Sequence, residues 1–220
     1  MVTSRWTAAP AQAAPSAQTA AASAQTASSR RRGAVLERAI LEAALEQLGT
    51  VGWNGLTMEG VAARAQTGKA AVYRRWPSKE DLVADALQAG LPGLTEAPDL
   101  GSIREDLLEL CRRVREAMFS QPGLALRSVV YECDAAQAER FQRVILGRVV
   151  EPTLHLLREV ISRGIERGEV RPDAANAYVF DAIPAMLMYR SKVCASEWGE
   201  RDLEEMIDQL MVPLLRQRAA

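Results

Sequence analysis

At 220 residues, the chain has room for one large domain or two small ones, and 48% hydrophobic with 25% charged residues is the composition of a globular protein with a substantial core. No apolar run approaches the roughly 20 residues that a bilayer-crossing helix needs. Three cysteines, Cys111, Cys133 and Cys194, are too scattered for a disulfide framework or a zinc site, so a reducing, cytoplasmic setting is expected.

The net charge of −1 conceals an asymmetry: residues 1–80 carry ten Lys and Arg against five Asp and Glu, and residues 81–220 carry 17 against 23. The amino-terminal part suits a polyanion and the remainder does not. Residues 1–29 are mostly Ala, Ser, Thr, Gln and Pro. They lack the Leu/Ile/Val stretch of a secretory signal, and a disordered tail is expected there.

Beyond the tail the pattern predicts an all-α chain of about nine helices, because strand alternation and Asn-Gly or Asp-Gly hairpin signals are missing. Val35, Leu36, Ala39, Ile40, Ala43, Ala44 and Leu48 define one face of a first helix, which the Gly49–Gly55 segment ends. Thr57 is a good N-cap for a short helix over 58–65, with Glu59 in its dipole-favoured first turn. A second short helix spans 68–75, and Pro77 breaks it. Ser78, with Asp81 three residues on, caps a longer helix to about 89. A Pro/Gly-rich connector at 90–101 follows this linking helix; the head is read as 30–80 and the helical body as 81–220. The body helices are expected over 102–120, from the Gln121-Pro-Gly123 turn to about 134, over 135–167 with Pro152 kinking or splitting it, 173–197 containing Pro184, and 200–216.

Two short helices joined by a tight turn and preceded by a third form a helix-turn-helix pattern. Met58, Val61, Ala62 and Ala65 give the first short helix an apolar face. The second offers Thr67, Gly68, Lys69, Ala70, Ala71 and Tyr73 outward, small and polar enough for a major groove about 12 Å wide, with Val72 inward. Arg74, Arg75 and Lys79 follow where phosphates would run, and Arg30, Arg31 and Arg32 precede the first helix within reach of a backbone or minor groove.

Residues 34–90 resemble the DNA-binding head of the TetR family of bacterial regulators. The resemblance rests on Ile40-Leu-Glu-Ala-Ala44, Gly52, Thr57-x-x-x-Val61-Ala62, Ala65 and, most distinctively, Lys69-Ala-Ala-Val-Tyr73-Arg-Arg-Trp76-Pro-Ser-Lys79-Glu80-x-Leu82. It implies that Lys69 and Tyr73 touch DNA, that Thr57 bonds a phosphate, and that Lys79 with the amides at the start of the next helix holds another. This chain departs from the family at Gln66, where glycine is usual, and at Gly68, where serine is usual. Gln66 is therefore expected to hold a left-handed conformation at a cost. The segment from Leu154 to Pro172 and the helix around Pro184 resemble the family's carboxy-terminal domains.

The resemblance implies a ligand-responsive repressor that binds a palindromic double-stranded DNA operator as a homodimer. Its last two helices would form the interface, and its body would bind a small apolar or amphipathic effector. Thr57, Thr67, Gly68, Lys69, Ala71, Tyr73, Arg74, Lys79, Arg31 and Arg32 are the DNA-contact candidates. Phe119, Leu126, Val130, Tyr131, Phe141, Met186 and Tyr189 are candidates for a ligand cavity. The alternatives are an activator, a helical interaction module, which would need no basic head, and a helical enzyme, which would need clustered acid, base or nucleophile. His155 is the only histidine, no metal or cofactor motif is visible, and neither cofactor nor metal is expected.

Overall fold

Five helices start where a short polar side chain replaces a missing carbonyl for an amide of the first turn. Thr57 Oγ1 accepts from Gly60 N, Ser78 Oγ from Asp81 N, Ser102 Oγ from Glu105 N, Ser120 Oγ from Gly123 N, and Asn176 Oδ1 from Val179 N, at 3.1–3.3 Å. In this computed structural model, which describes residues 17–194 and 196–216, nine helices and no strand occur among the described residues. They are α1 (Ala17–Gly55), α2 (Met58–Arg64), α3 (Lys69–Tyr73), α4 (Lys79–Gly90), α5 (Ile103–Phe119), α6 (Gln121–Glu132), α7 (135–166), α8 (Ala177–Val193) and α9 (200–215).

The chain divides into two units, Met1–Ala39 and Ile40–Ala220. The described part of the first is helical from Ala17, inside the span whose composition suggested a disordered tail through residue 29. Alanine is the commonest residue there, and it is the best helix former.

In the second unit, α1 breaks at Gly52, whose φ of +75° and ψ of −179° are not helical. Ile40, Ala44 and Leu48 of α1, Val61 and Ala62 of α2, Val72 of α3 and Trp76 are buried together with Leu82 and Val83 of α4. The larger core lies in the body: Leu107 and Cys111 of α5, Leu157, Val160 and Ile161 of α7, Ile183 and Leu187 of α8, and Leu203, Ile207 and Leu215 of α9. Each such side chain stabilises the fold by about 1.5–3 kcal/mol on burial.

The prolines shape the long helices without splitting them. Leu146–Val150 and Ile207–Met211 are π turns, each followed within two residues by Pro152 or Pro213 as the α-helix resumes. A proline lacks an N–H and its ring crowds the carbonyl four residues back; a wider turn relieves both problems. The helix expected to begin at 173 begins later, because Pro172–Ala174 is a 3₁₀ turn and Asn176 is the cap. Buried Asp106 fixes the connector: Arg167 Nη2 donates to it at 2.8 Å and the Leu100 amide donates at 2.5 Å. Arg167 also pairs with Glu169, which accepts from Ile103 N at 2.9 Å.

Candidate nucleic-acid interface

The turn between α2 and α3 is built by two crossed backbone bonds. Gln66 N donates to Ala63 O at 3.1 Å and Thr67 N donates to Ala62 O at 2.9 Å. This closure requires a left-handed residue between them, and Gln66 takes it with φ +51°. Gly68 then caps α3 in extended conformation, without a side-chain bond, as its lack of a hydroxyl requires.

α3 is anchored by Val72, which is fully buried, and presents Gly68, Lys69, Ala70, Tyr73 and Arg74 to solvent. Thr67 and Ala71 are half-buried beside them, and Thr57 is exposed at the start of α2. Lys69 forms an ion pair with Glu59 of α2, and its ammonium lies 5.4 Å from the Tyr73 ring centroid. The shared hydrogen bond raises the Lys69 pKa and lowers that of Glu59. Arg75 folds back, donating to Ala71 O at 3.0 Å. The backbone of Arg31 and Arg32 runs in the first unit, and their side chains lie outside the described residues.

Lys79 differs from what the resemblance implied. Its ammonium donates to the Trp53 carbonyl at 2.9 Å and sits 4.1 Å from the Trp53 ring centroid, half-buried, so within the chain it is already engaged by α1. Ser78 Oγ meanwhile donates to Asp81 Oδ2 at 2.6 Å, so the α4 start is capped from within.

Trp53 is the centre of a joint that the sequence pattern did not reveal. Its ring is buried edge-on against Phe141 of α7, with centroids 5.1 Å apart and planes at 82°. Its amide donates to Ser128 Oγ at 2.8 Å, and the Asn54 amide donates to Glu132 Oε2 at 3.1 Å, both acceptors lying on α6. These bonds, with one from Ser128, lower the Glu132 pKa. Trp76 Nε1 donates to Asp85 at 2.8 Å, tying α3's exit to α4.

The seven cavity candidates are dispersed. Phe119 lines an open cleft of about 370 Å³ with Arg115, Glu116, Glu197, Trp198 and Gly199. Phe141 packs on Trp53 and so belongs to the joint. Met186 packs half-buried against the body core, and Leu126 is half-buried on α6. Val130, Tyr131 and Tyr189 are exposed, Tyr131 lying 5.0 Å from the Lys192 ammonium. Among the described residues, no His/Cys/Asp/Glu cluster could hold a metal, and no helix is long and apolar enough to cross a membrane.

Comparison with known proteins agrees with this geometry. Residues 40–86 match the family described as "Bacterial regulatory proteins, tetR family", and residues 97–210 match the "Tetracyclin repressor-like, C-terminal domain". An uncharacterized HTH-type transcriptional regulator of Mycobacterium tuberculosis is 30% identical over 183 residues, covering 81% of this chain and 87% of that protein. A DNA-binding transcriptional repressor TetR of Mycobacteroides abscessus is 26% identical over 186 residues, covering 84% of this chain and 96% of that one. The fold matches a TetR-family transcriptional regulator from Mesorhizobium loti, with a TM-score of 0.61 at 18% identity, covering 83% of this chain and 96% of the other. With both segments matched in order and a helix-turn-helix built from the residues that carry the likeness, the chain belongs to the TetR family and is a DNA-binding transcriptional regulator.

Proposed function

We propose that the protein is a homodimeric repressor that binds a palindromic operator through α3 and releases it when a small apolar or amphipathic effector occupies the body. The observation that carries this reading is the division of α3: Val72 is locked in the head, while Lys69, Tyr73 and Arg74 face outward together. Lys69 and Arg74 suit phosphates or guanine edges, and Tyr73 can donate to a phosphate oxygen. Thr57, Thr67, Gly68 and Ala71 border the same surface.

The outer face of α8 supports dimerisation. Tyr178, Met188, Tyr189 and Val193 are 88%, 63%, 57% and 64% exposed in the single chain, an unusually apolar surface for one helix. α9 gives Leu203, Ile207, Met211 and Leu215 to the chain's own core, so in an interface made by these two helices α8 supplies the apolar contact. A two-fold dimer sets its heads one helical turn apart, about 34–36 Å, on a palindrome. An effector that prefers the mis-spaced state then lowers DNA affinity. The cytoplasm is the matching location.

The test is selection of operators from a randomised duplex pool, then footprinting at fixed salt because phosphate contacts make affinity salt-dependent. A protected palindrome is expected. Lys69→Ala and Tyr73→Phe should each weaken binding with the dimer intact; unchanged affinity in both would refute the role of α3.

A further inference from the structure

We infer that Ser128 and Glu132, on the last turns of α6, are positioning residues for DNA binding: they clasp the Gly52–Asn54 turn and so fix the direction in which the helix-turn-helix faces relative to the body. The inference rests on the chain being a DNA-binding regulator, and not on any effector.

The clasp follows from the break in α1. Gly52, with φ +75° and ψ −179°, leaves the helical conformation at this point. The two amides that follow, Trp53 N and Asn54 N, donate to α6, to Ser128 Oγ and the Glu132 carboxylate respectively. Ser128 Oγ accepts from Trp53 N and donates to Glu132 Oε1 at 3.0 Å, so the three groups form one continuous chain. The approach is close: a Cβ at 52 would lie 2.5 Å from Glu132 Oε1, so a side chain there would push the carboxylate out of the clasp.

The peptide group between Trp53 and Asn54 is held at both ends: Trp53 O accepts from Lys79 at the start of α4, while Asn54 N donates to Glu132 of α6. A second close approach lies at the far end of α4, where a Cβ on Gly90 would meet Leu45 of α1 at 2.5 Å and Pro122 of α6 at 3.4 Å. Thus α1, α4 and α6 are fixed to one another at two separate places. Val61, Ala62, Val72 and Trp76 are buried in the helix-turn-helix, whereas Ser128 is half-buried and Glu132 exposed. Loss of the clasp therefore leaves a folded recognition unit with an unfixed direction. A single half-site cannot sense that loss; two half-sites bridged by one dimer can.

The experiment uses the full chain, with Cys133→Ser and Cys194→Ser and spin labels at Ala63→Cys on α2 and Ser162→Cys on α7, diluted with unlabelled protein. Glu132→Ala and Ser128→Ala should broaden the α2–α7 distance distribution about twofold without DNA. They should also weaken binding to the pool-selected operator about tenfold, and binding to a single half-site duplex less than twofold, as expected for losing a charge-assisted bond. Glu132→Gln keeps an acceptor for Asn54 N and should recover most of the difference. Unchanged distances in Glu132→Ala overturn the inference, as does an equal fall of operator and half-site affinity that tracks the melting temperature. Should the pool yield no operator, the regulator reading fails, and the distance measurement still decides whether the clasp orients the head.

Discussion

Gln66 allows a quantitative test of how the interface is built. It is exposed and sits between α2 and α3 with φ +51°, a region that costs an L-residue with a Cβ roughly 1–2 kcal/mol. Gln66→Gly removes that cost but adds chain entropy in the unfolded state, a penalty of about 0.5–1 kcal/mol. The net gain is about 0.5–1 kcal/mol, or a rise in Tm of roughly 1–4 °C for a chain of this size. Gln66→Asn should fall between, because asparagine tolerates this region, and Gln66→Val should lower Tm because a β-branched side chain is worst there. Calorimetric melting of the four proteins gives the ordering Gly, Asn, Gln, Val. A lower Tm for Gln66→Gly, or a Val variant as stable as the parent, would refute the argument that this turn stores backbone strain.

Three further outcomes follow from named contacts. Gly123→Ala should destabilise by about 2–3 kcal/mol, since its Cβ would lie 2.1 Å from the Ala117 carbonyl oxygen and 2.5 Å from that of Met118, and backbone cannot step aside; urea unfolding measures this. Glu59→Gln should strengthen operator binding several-fold and steepen its salt dependence by freeing the Lys69 ammonium for phosphate, as titrations at several salt concentrations would show. Burial pushes the Cys111 thiol from 9.0 up to about 12, so in the folded chain it should resist a thiol reagent that modifies exposed Cys194 rapidly. Its folded pKa is the higher one, so its contribution to stability is complete below pH 9 and is lost as pH rises towards 12.

Features decided by residues three or four apart were legible in the sequence. The caps at Thr57 and Ser78 need only a local oxygen and the next free amide, and the strain at Gln66 follows from the turn's own geometry. Proline at 152 announced an interruption, but not whether the helix would split or widen, since that depends on how α7 packs. The Trp53 joint was hidden for a different reason. Its partners Ser128 and Glu132 lie 75 and 78 residues away, and neither residue type carries any mark of a distant partner. The resemblance implies a phosphate contact for Lys79; its carbonyl and indole neighbours lie 26 residues earlier in the chain and come into view only with the fold. Phe141 was placed with a cavity on the strength of its type, and its true neighbour again comes from tertiary packing.

The setting of Trp53 also gives the protein an optical property. An indole whose face carries an ammonium 4.1 Å away and whose edge meets a phenyl ring experiences a strong local field. If the Ser128–Glu132 grip opens, the field at that chromophore changes, and its emission wavelength and lifetime change with it. Trp76 and Trp198 are buried in separate surroundings, the one bonded to Asp85 and the other to Leu187 O and Ser191, and provide an internal reference. The unlabelled regulator can thus be watched in a cuvette, the opening of the clasp followed by the colour of its own fluorescence.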